Sequence, residues 1–129
     1  DDFTKIPGGL PGVETRGILM YTAAAEGKLS LGQMCRLLCE NPAKLYGLYP
    51  RKGVIAPGSD ADLVVINPDA VGTIRLEDLI ANVDYSPYAG FQTRGKIAAV
   101  YLRGQLAVSQ GRILQDRGGI FLARQRGTL

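Results

Sequence analysis

Asp60 and Asp62 stand two residues apart, directly ahead of an apolar run, in KGVIAPGSDADLVVINP (52–68). In extended chain, residues two apart point to the same face. Two carboxylates side by side can share a proton, with one pKa raised, which suits acid–base work. They can also lead a polar turn into a strand. In that reading Gly58 and Asp60 shape the turn and Asp62 accepts local backbone N–H groups. No nucleophile lies nearby in the sequence, so the turn reading is preferred. The chain has no histidine at all. Any His-dependent mechanism, whether general base, triad or His-ligated metal, is therefore excluded within this chain.

Three further groups carry chemical potential. Cys35 and Cys39 lie four apart on one helix face. A metal would need more ligands, and a disulfide within one helical turn is geometrically poor. Their neighbours Met34, Leu37 and Leu38 are core-like, which predicts two small buried residues. Gly8, Gly9 and Gly12 in IPGGLPG (6–12) lie just before a predicted helix, where backbone N–H groups can meet an anion or polar ligand. Tyr85, Tyr88 and Phe91 cluster in NVDYSPYAGFQ (82–92). Stacking on bases would call for a surrounding basic run. A packed aromatic turn or subunit contact is the preferred expectation.

The elements that must position these residues fall into two unlike halves. Pro and Gly keep residues 1–12 in a loop. Helical character starts at Val13, with Ile18, Leu19, Met20, Tyr21 and Ala25 as its apolar side and Gly27 beyond its end. Ser30 and Gln33 form a capping box for a second helix, with Leu31, Met34, Leu37 and Leu38 as its buried stripe. Asn41 and Pro42 restart a short third helix that Gly47 ends. Past Tyr49 the apolar runs are short and β-branched. Leu63–Ile66 reads as a buried strand. Residues 76–83 suggest a turn of helix. Residues 97–102 and 105–109 read as a hairpin turning at Arg103–Gly104, with 112–114 as the expected extension of its sheet. The tail from Gln115 is polar and expected to be peripheral or disordered. The fold class is α+β.

The chain's 129 residues fit one ordinary domain, with 46% apolar and 21% charged residues. The net charge of +3 is dispersed, without the basic run of a nucleic-acid arm. No apolar run reaches the ~20 residues of a membrane span. The start, DDFTKIPGG, has no apolar h-region and reads as a fragment or a processed chain. Two cysteines without a signal peptide point to a reducing compartment, the cytoplasm.

The segment G-x-I-x-x-G-x-x-A-D-L-V-V, Gly53 to Val65, resembles the C-terminal β-subdomain signature of the amidohydrolase superfamily. FTKIPGGLPGVETR (3–16), NPAKLYGLYPRKG (41–53) and VDYSPYAGF (83–91) resemble cyclic amidohydrolases, above all dihydropyrimidinase and hydantoinase. GQLAVSQGRI (104–113) is similar to that family's closing hairpin. The form GGLPGVET is also similar to allantoinase and dihydroorotase.

The resemblance implies a larger enzyme with a metal-bearing (β/α)8 barrel and a small β-sandwich assembled from both chain ends. Residues 1–50 would be the terminal loop and helices of the barrel, 51–115 the C-terminal strands of the composite sandwich, and 116–129 a peripheral tail. The family's ligands, a His-x-His pair, a carboxylated lysine, two more histidines and an aspartate, hold a binuclear zinc centre. None maps onto this chain, so the chain alone would be inactive, with no catalytic or metal residue of its own. The loop at 6–12 would offer backbone contacts to a cyclic diamide. The family has Asn-Gly there where this chain has Gly8 and Gly9, and a backbone contact survives that change. The remainder of the parent chain and further copies of the enzyme would be the partners. Family members that lack the metal site, of the collapsin-response-mediator type, give the alternative of a non-catalytic assembly protein. Truncation predicts exposed barrel-facing helix sides and an unpaired sheet edge, both adhesive.

Overall fold

The computed structural model describes residues 2, 4, 9–115 and 117–127. Helix α1 spans Arg16–Ala25. It begins later than the apolar pattern suggests, because Gly12–Thr15 form a turn in which the Arg16 N–H donates to the Gly12 carbonyl at 3.0 Å. Val13 is accordingly exposed, and Thr22, not the apolar stripe, is the residue that α1 buries completely. Gly27 closes the helix at φ +76°, with the Lys28 N–H on the Ala23 carbonyl and the Gly27 N–H on Ala24. This is the αL closure that glycine permits.

Helix α2, Leu31–Cys35, opens with the expected capping box: Ser30 Oγ accepts the Gln33 N–H at 3.2 Å, and Gln33 Oε1 accepts the Ser30 N–H at 2.7 Å. It does not stop at Asn41. A π turn, Arg36–Glu40, runs straight into α3, Asn41–Leu45. Asn41 has helical dihedrals and does not act as a cap. Pro42, which has no N–H to donate to the preceding turn, sits directly after the π segment. Gly47 ends α3 in the αL conformation, as the sequence predicts.

Four antiparallel strands form one sheet in the order β1-β2-β3-β4: β1 is Leu63–Thr73, β2 Gln92–Leu102, β3 Gln105–Ser109 and β4 Arg112–Ile113. Two-residue turns join the last three, Arg103–Gly104 and Gln110–Gly111, all four residues at positive φ. That twist matches the strands it connects. β1 is longer than its apolar run and carries Pro68 at a break in the ladder between Asn67 and Val71. A proline cannot donate to a ladder and is tolerated on an edge strand. The predicted turn of helix in 76–83 is a single 3-10 turn, Leu76–Asp78.

Helix α1 docks on β2 opposite that break. Thr22 Oγ1 accepts the Arg94 N–H at 3.0 Å and donates to the Ile18 carbonyl at 2.8 Å. The Tyr21 ring covers Gly95, where any Cβ would come within 2.5 Å of it. Gly95 has φ +73°, so glycine is required twice over.

Two expectations about burial fail. Leu63–Ile66 is not a buried strand, since Val64 and Val65 are 58% and 45% exposed. Leu31 and Leu37 are exposed as well. The apolar pattern is present, but no described element covers these faces. The described apolar core is only Ala43, Ile74 and Ala107. The chain exposes 9607 Å², against roughly 6,600 Å² for a compact monomer of its mass. The tail is packed, not loose, at Gly47: the Gln125 N–H donates to its carbonyl at 2.8 Å.

Candidate functional site

The two aspartates do converge, but on a lysine. Lys52 Nζ lies 2.9 Å from Asp60 Oδ2 and donates also to Asp62 Oδ2. Arg51 Nε reaches Asp60 Oδ2 at 3.1 Å. The turn is tightened by the Asp60 N–H on the Arg51 carbonyl and by Ser59 Oγ on the Pro50 carbonyl. Asp62 Oδ1 accepts the Arg103 N–H at 2.8 Å, and the Gly104 N–H donates to the Ala61 carbonyl. Asp62 thus captures a backbone N–H, as the turn reading requires, but from the distant β2–β3 hairpin.

The electrostatics run against a proton-sharing pair. The Lys52 hydrogen bond, joined by Arg51, holds the Asp60 carboxyl below its ordinary value despite some desolvation. For Asp62, desolvation pushes upward most, but hydrogen bonds from Lys52 and the Arg103 N–H together prevail and hold it low. Burial opposes the Lys52 charge, and the two carboxylates outweigh it, raising its pKa. Both aspartates are therefore ionised near neutrality, and neither is poised as an acid or base. The ammonium takes the position between the carboxylates that a cation would need.

The described residues do not fit the family's metal centre. No three His, Cys, Asp or Glu side chains come together among them in a way that could hold an ion. Cys35 and Cys39 are free and exposed, which corrects their expected burial: their helix face has no cover in this chain. Desolvation, with a smaller contribution from Cys35, pushes the Cys39 thiol up, away from nucleophilic thiolate. No described helix is long and apolar enough to cross a membrane.

Of the candidate substrate-facing pair, Gly8 lies outside the described residues. Gly9 is exposed, and its carbonyl accepts Tyr85 Oη–H at 2.9 Å. Glu14 caps the opposing segment, its carboxylate accepting the Ile80 N–H at 3.0 Å and the Ala81 N–H at 3.2 Å. Tyr88 packs over Gly12, within 3.6 Å of where a Cβ would stand. The aromatic turn is thus a clasp on the 9–14 loop. An open groove of about 490 Å³ lies beside it, lined by Leu10, Val13, Leu19, Met20, Tyr88 and Phe91, among others. Sequence reasoning missed Lys52, Arg103, Glu14 and the role of Tyr85. Their partners are 8 to 76 residues away, and no periodic pattern reports such pairs.

The pattern of the amidohydrolase family matches residues 11–107, which include both the helices and most of the antiparallel sheet. The chain belongs to the amidohydrolase family. Within it, the similarity runs to hydantoinases. The chain is 44% identical over 109 residues to the D-hydantoinase of Streptomyces coelicolor, covering 84% of this chain and 23% of that protein. It is 40% identical over 127 residues to the D-hydantoinase of Ralstonia pickettii, covering 98% and 28%. A solved D-hydantoinase structure superposes with a TM-score of 0.89 at 41% identity, over 97% of this chain and 28% of that one. The chain therefore spans about a quarter of the length of these relatives.

Proposed function

We propose that this chain is the C-terminal part of a cyclic amidohydrolase that hydrolyses the ring amide C–N bond of hydantoins or dihydropyrimidines. The observation that carries this reading is the 40% identity to a D-hydantoinase across 98% of the chain. In this reading α1 to α3 close the (β/α)8 barrel and the four strands complete the composite β-sandwich. The exposed apolar faces of Leu31, Leu37, Val64 and Val65 then pack against the rest of the parent chain or against another copy in a homo-oligomer. The binuclear zinc centre and all groups that act on the scissile bond belong to the remainder of the parent. This chain contributes the loop at Gly8 and Gly9, whose backbone meets the cyclic diamide.

The test is a substrate panel on the full-length protein: hydantoin, a 5-substituted hydantoin, dihydrouracil, allantoin and dihydroorotate, each with and without a chelator. Chelator-sensitive opening of the first three rings is expected. Turnover confined to allantoin or dihydroorotate reassigns the substrate. A folded protein that binds no metal and opens none of these rings is the non-catalytic assembly protein instead. The 129-residue chain alone is expected to open none of them.

A further inference from the structure

The segment from Ile74 to Phe91 is a loop with a closed neck. The Ile74 N–H donates to the Phe91 carbonyl at 2.9 Å, and the Gly90 N–H donates back to the Ile74 carbonyl at 2.8 Å. Ile74 is buried at that neck, and the far side turns on itself, with the Ala89 N–H on the Ser86 carbonyl and the Tyr88 N–H on Ser86 Oγ. A loop tied at its base and braced internally can hold another segment in place. What it holds is the 9–14 loop, at three separate points: Tyr85 on Gly9, Glu14 on the Ile80 and Ala81 amides, and Tyr88 on Gly12.

We infer that Tyr85 is a positioning residue for ring binding, fixing the Gly9–Leu10 peptide plane of the substrate-facing loop, with Glu14 locking the strap that carries it. The inference rests on the substrate-facing reading of this loop given above. Glycine-rich backbone is free to rotate, and a backbone contact to a ligand is effective only if that freedom is removed beforehand. The Tyr85 hydroxyl removes it at the Gly9 carbonyl. The same hydrogen bond polarises the Gly9–Leu10 peptide and strengthens its N–H as a donor. The Glu14 bonds are charge-assisted, and so stronger than neutral ones. Neither side chain is required to touch the ring, so the expected signature is weaker ring binding at nearly unchanged turnover.

The experiment compares wild-type full-length protein with Tyr85→Phe and Glu14→Gln in two readouts. The first is amide hydrogen exchange over residues 9–14, which needs no activity. The second is KM and kcat for the best ring substrate. Loss of one hydrogen bond of this kind is expected to raise KM roughly two- to tenfold. It should leave kcat within about twofold and accelerate exchange in the 9–14 segment. Glu14→Gln should shift both readouts the same way, and it decides the question should Tyr85→Phe fold poorly. Unchanged exchange in both variants overturns the clasp. Faster exchange with KM unchanged in an active enzyme shows a tied loop that does not position substrate, and overturns the inference. Faster exchange in a protein inert towards all the rings leaves the clasp standing and overturns the ring-opening reading on which the role rests.

Discussion

Replacing Asp62 separates the two things its carboxylate does. Oδ1 holds the Arg103 N–H, and Arg103 is the first residue of the β2–β3 turn, at φ +48°. Oδ2 holds Lys52. A hydrogen bond to a charged group contributes about 1.5–3 kcal/mol, while an exposed ion pair contributes about 0–1 kcal/mol. The Asp62 side chain is 31% exposed, so water replaces part of what is lost. Asp62→Ala loses both interactions and should cost about 2 kcal/mol. Asp62→Asn keeps an acceptor oxygen and should cost less than about 1 kcal/mol. Urea titration of the 129-residue chain, followed by circular dichroism, reads both. With a slope near 1.5 kcal/mol per molar, the Ala midpoint should fall by roughly 1 M. The pH dependence follows from the shifts. Asp60 and Asp62 are depressed, so their contribution is complete above about pH 4 and is lost as pH falls through their lowered values. Lys52 is raised, so its contribution is complete below about pH 10.5 and is lost as pH rises beyond that. The cluster's contribution is therefore flat between those limits. An Ala midpoint equal to wild type, or an Asn variant as costly as Ala, would refute this account. Selective loss of metal from a correctly folded full-length Asp62→Ala protein would return these aspartates to the chemistry.

Thr22→Val keeps the shape of the side chain but removes the acceptor for the Arg94 N–H, and should cost about 1–3 kcal/mol in the same titration. Gly95→Ala should cost more than about 2 kcal/mol, because left-handed strain adds to a clash with the Tyr21 ring, and loosened α1 docking should appear as faster exchange in α1. Gly47→Ala places a Cβ 1.8 Å from the Gln125 carbonyl oxygen. It should release the tail and speed its cleavage by limited proteolysis, with a strain cost of about 1 kcal/mol.

Local chemistry was readable residue by residue. The Ser30–Gln33 capping box, the glycine ends at Gly27 and Gly47, and the Arg103–Gly104 turn are decided by neighbours within four positions, and the sequence displays those neighbours directly. The absence of histidine likewise settled, without coordinates, that a His-ligated metal cannot be held here. Burial was not readable. Leu37, Val64 and Cys39 have the pattern of interior residues, but a pattern shows that a face is apolar, not that anything covers it. The paired aspartates show the same divide. Their spacing places two carboxylates together and leaves their charge state open. Lys52 and the Arg103 amide, 10 and 41 residues from Asp62, settle it, because a pKa depends on distance in space and the fold alone sets that distance. The clasp of Tyr85 on Gly9 and of Glu14 on the 80–81 backbone is decided the same way: hydrogen bonds between segments some 70 residues apart exist only once the sheet has brought those segments together.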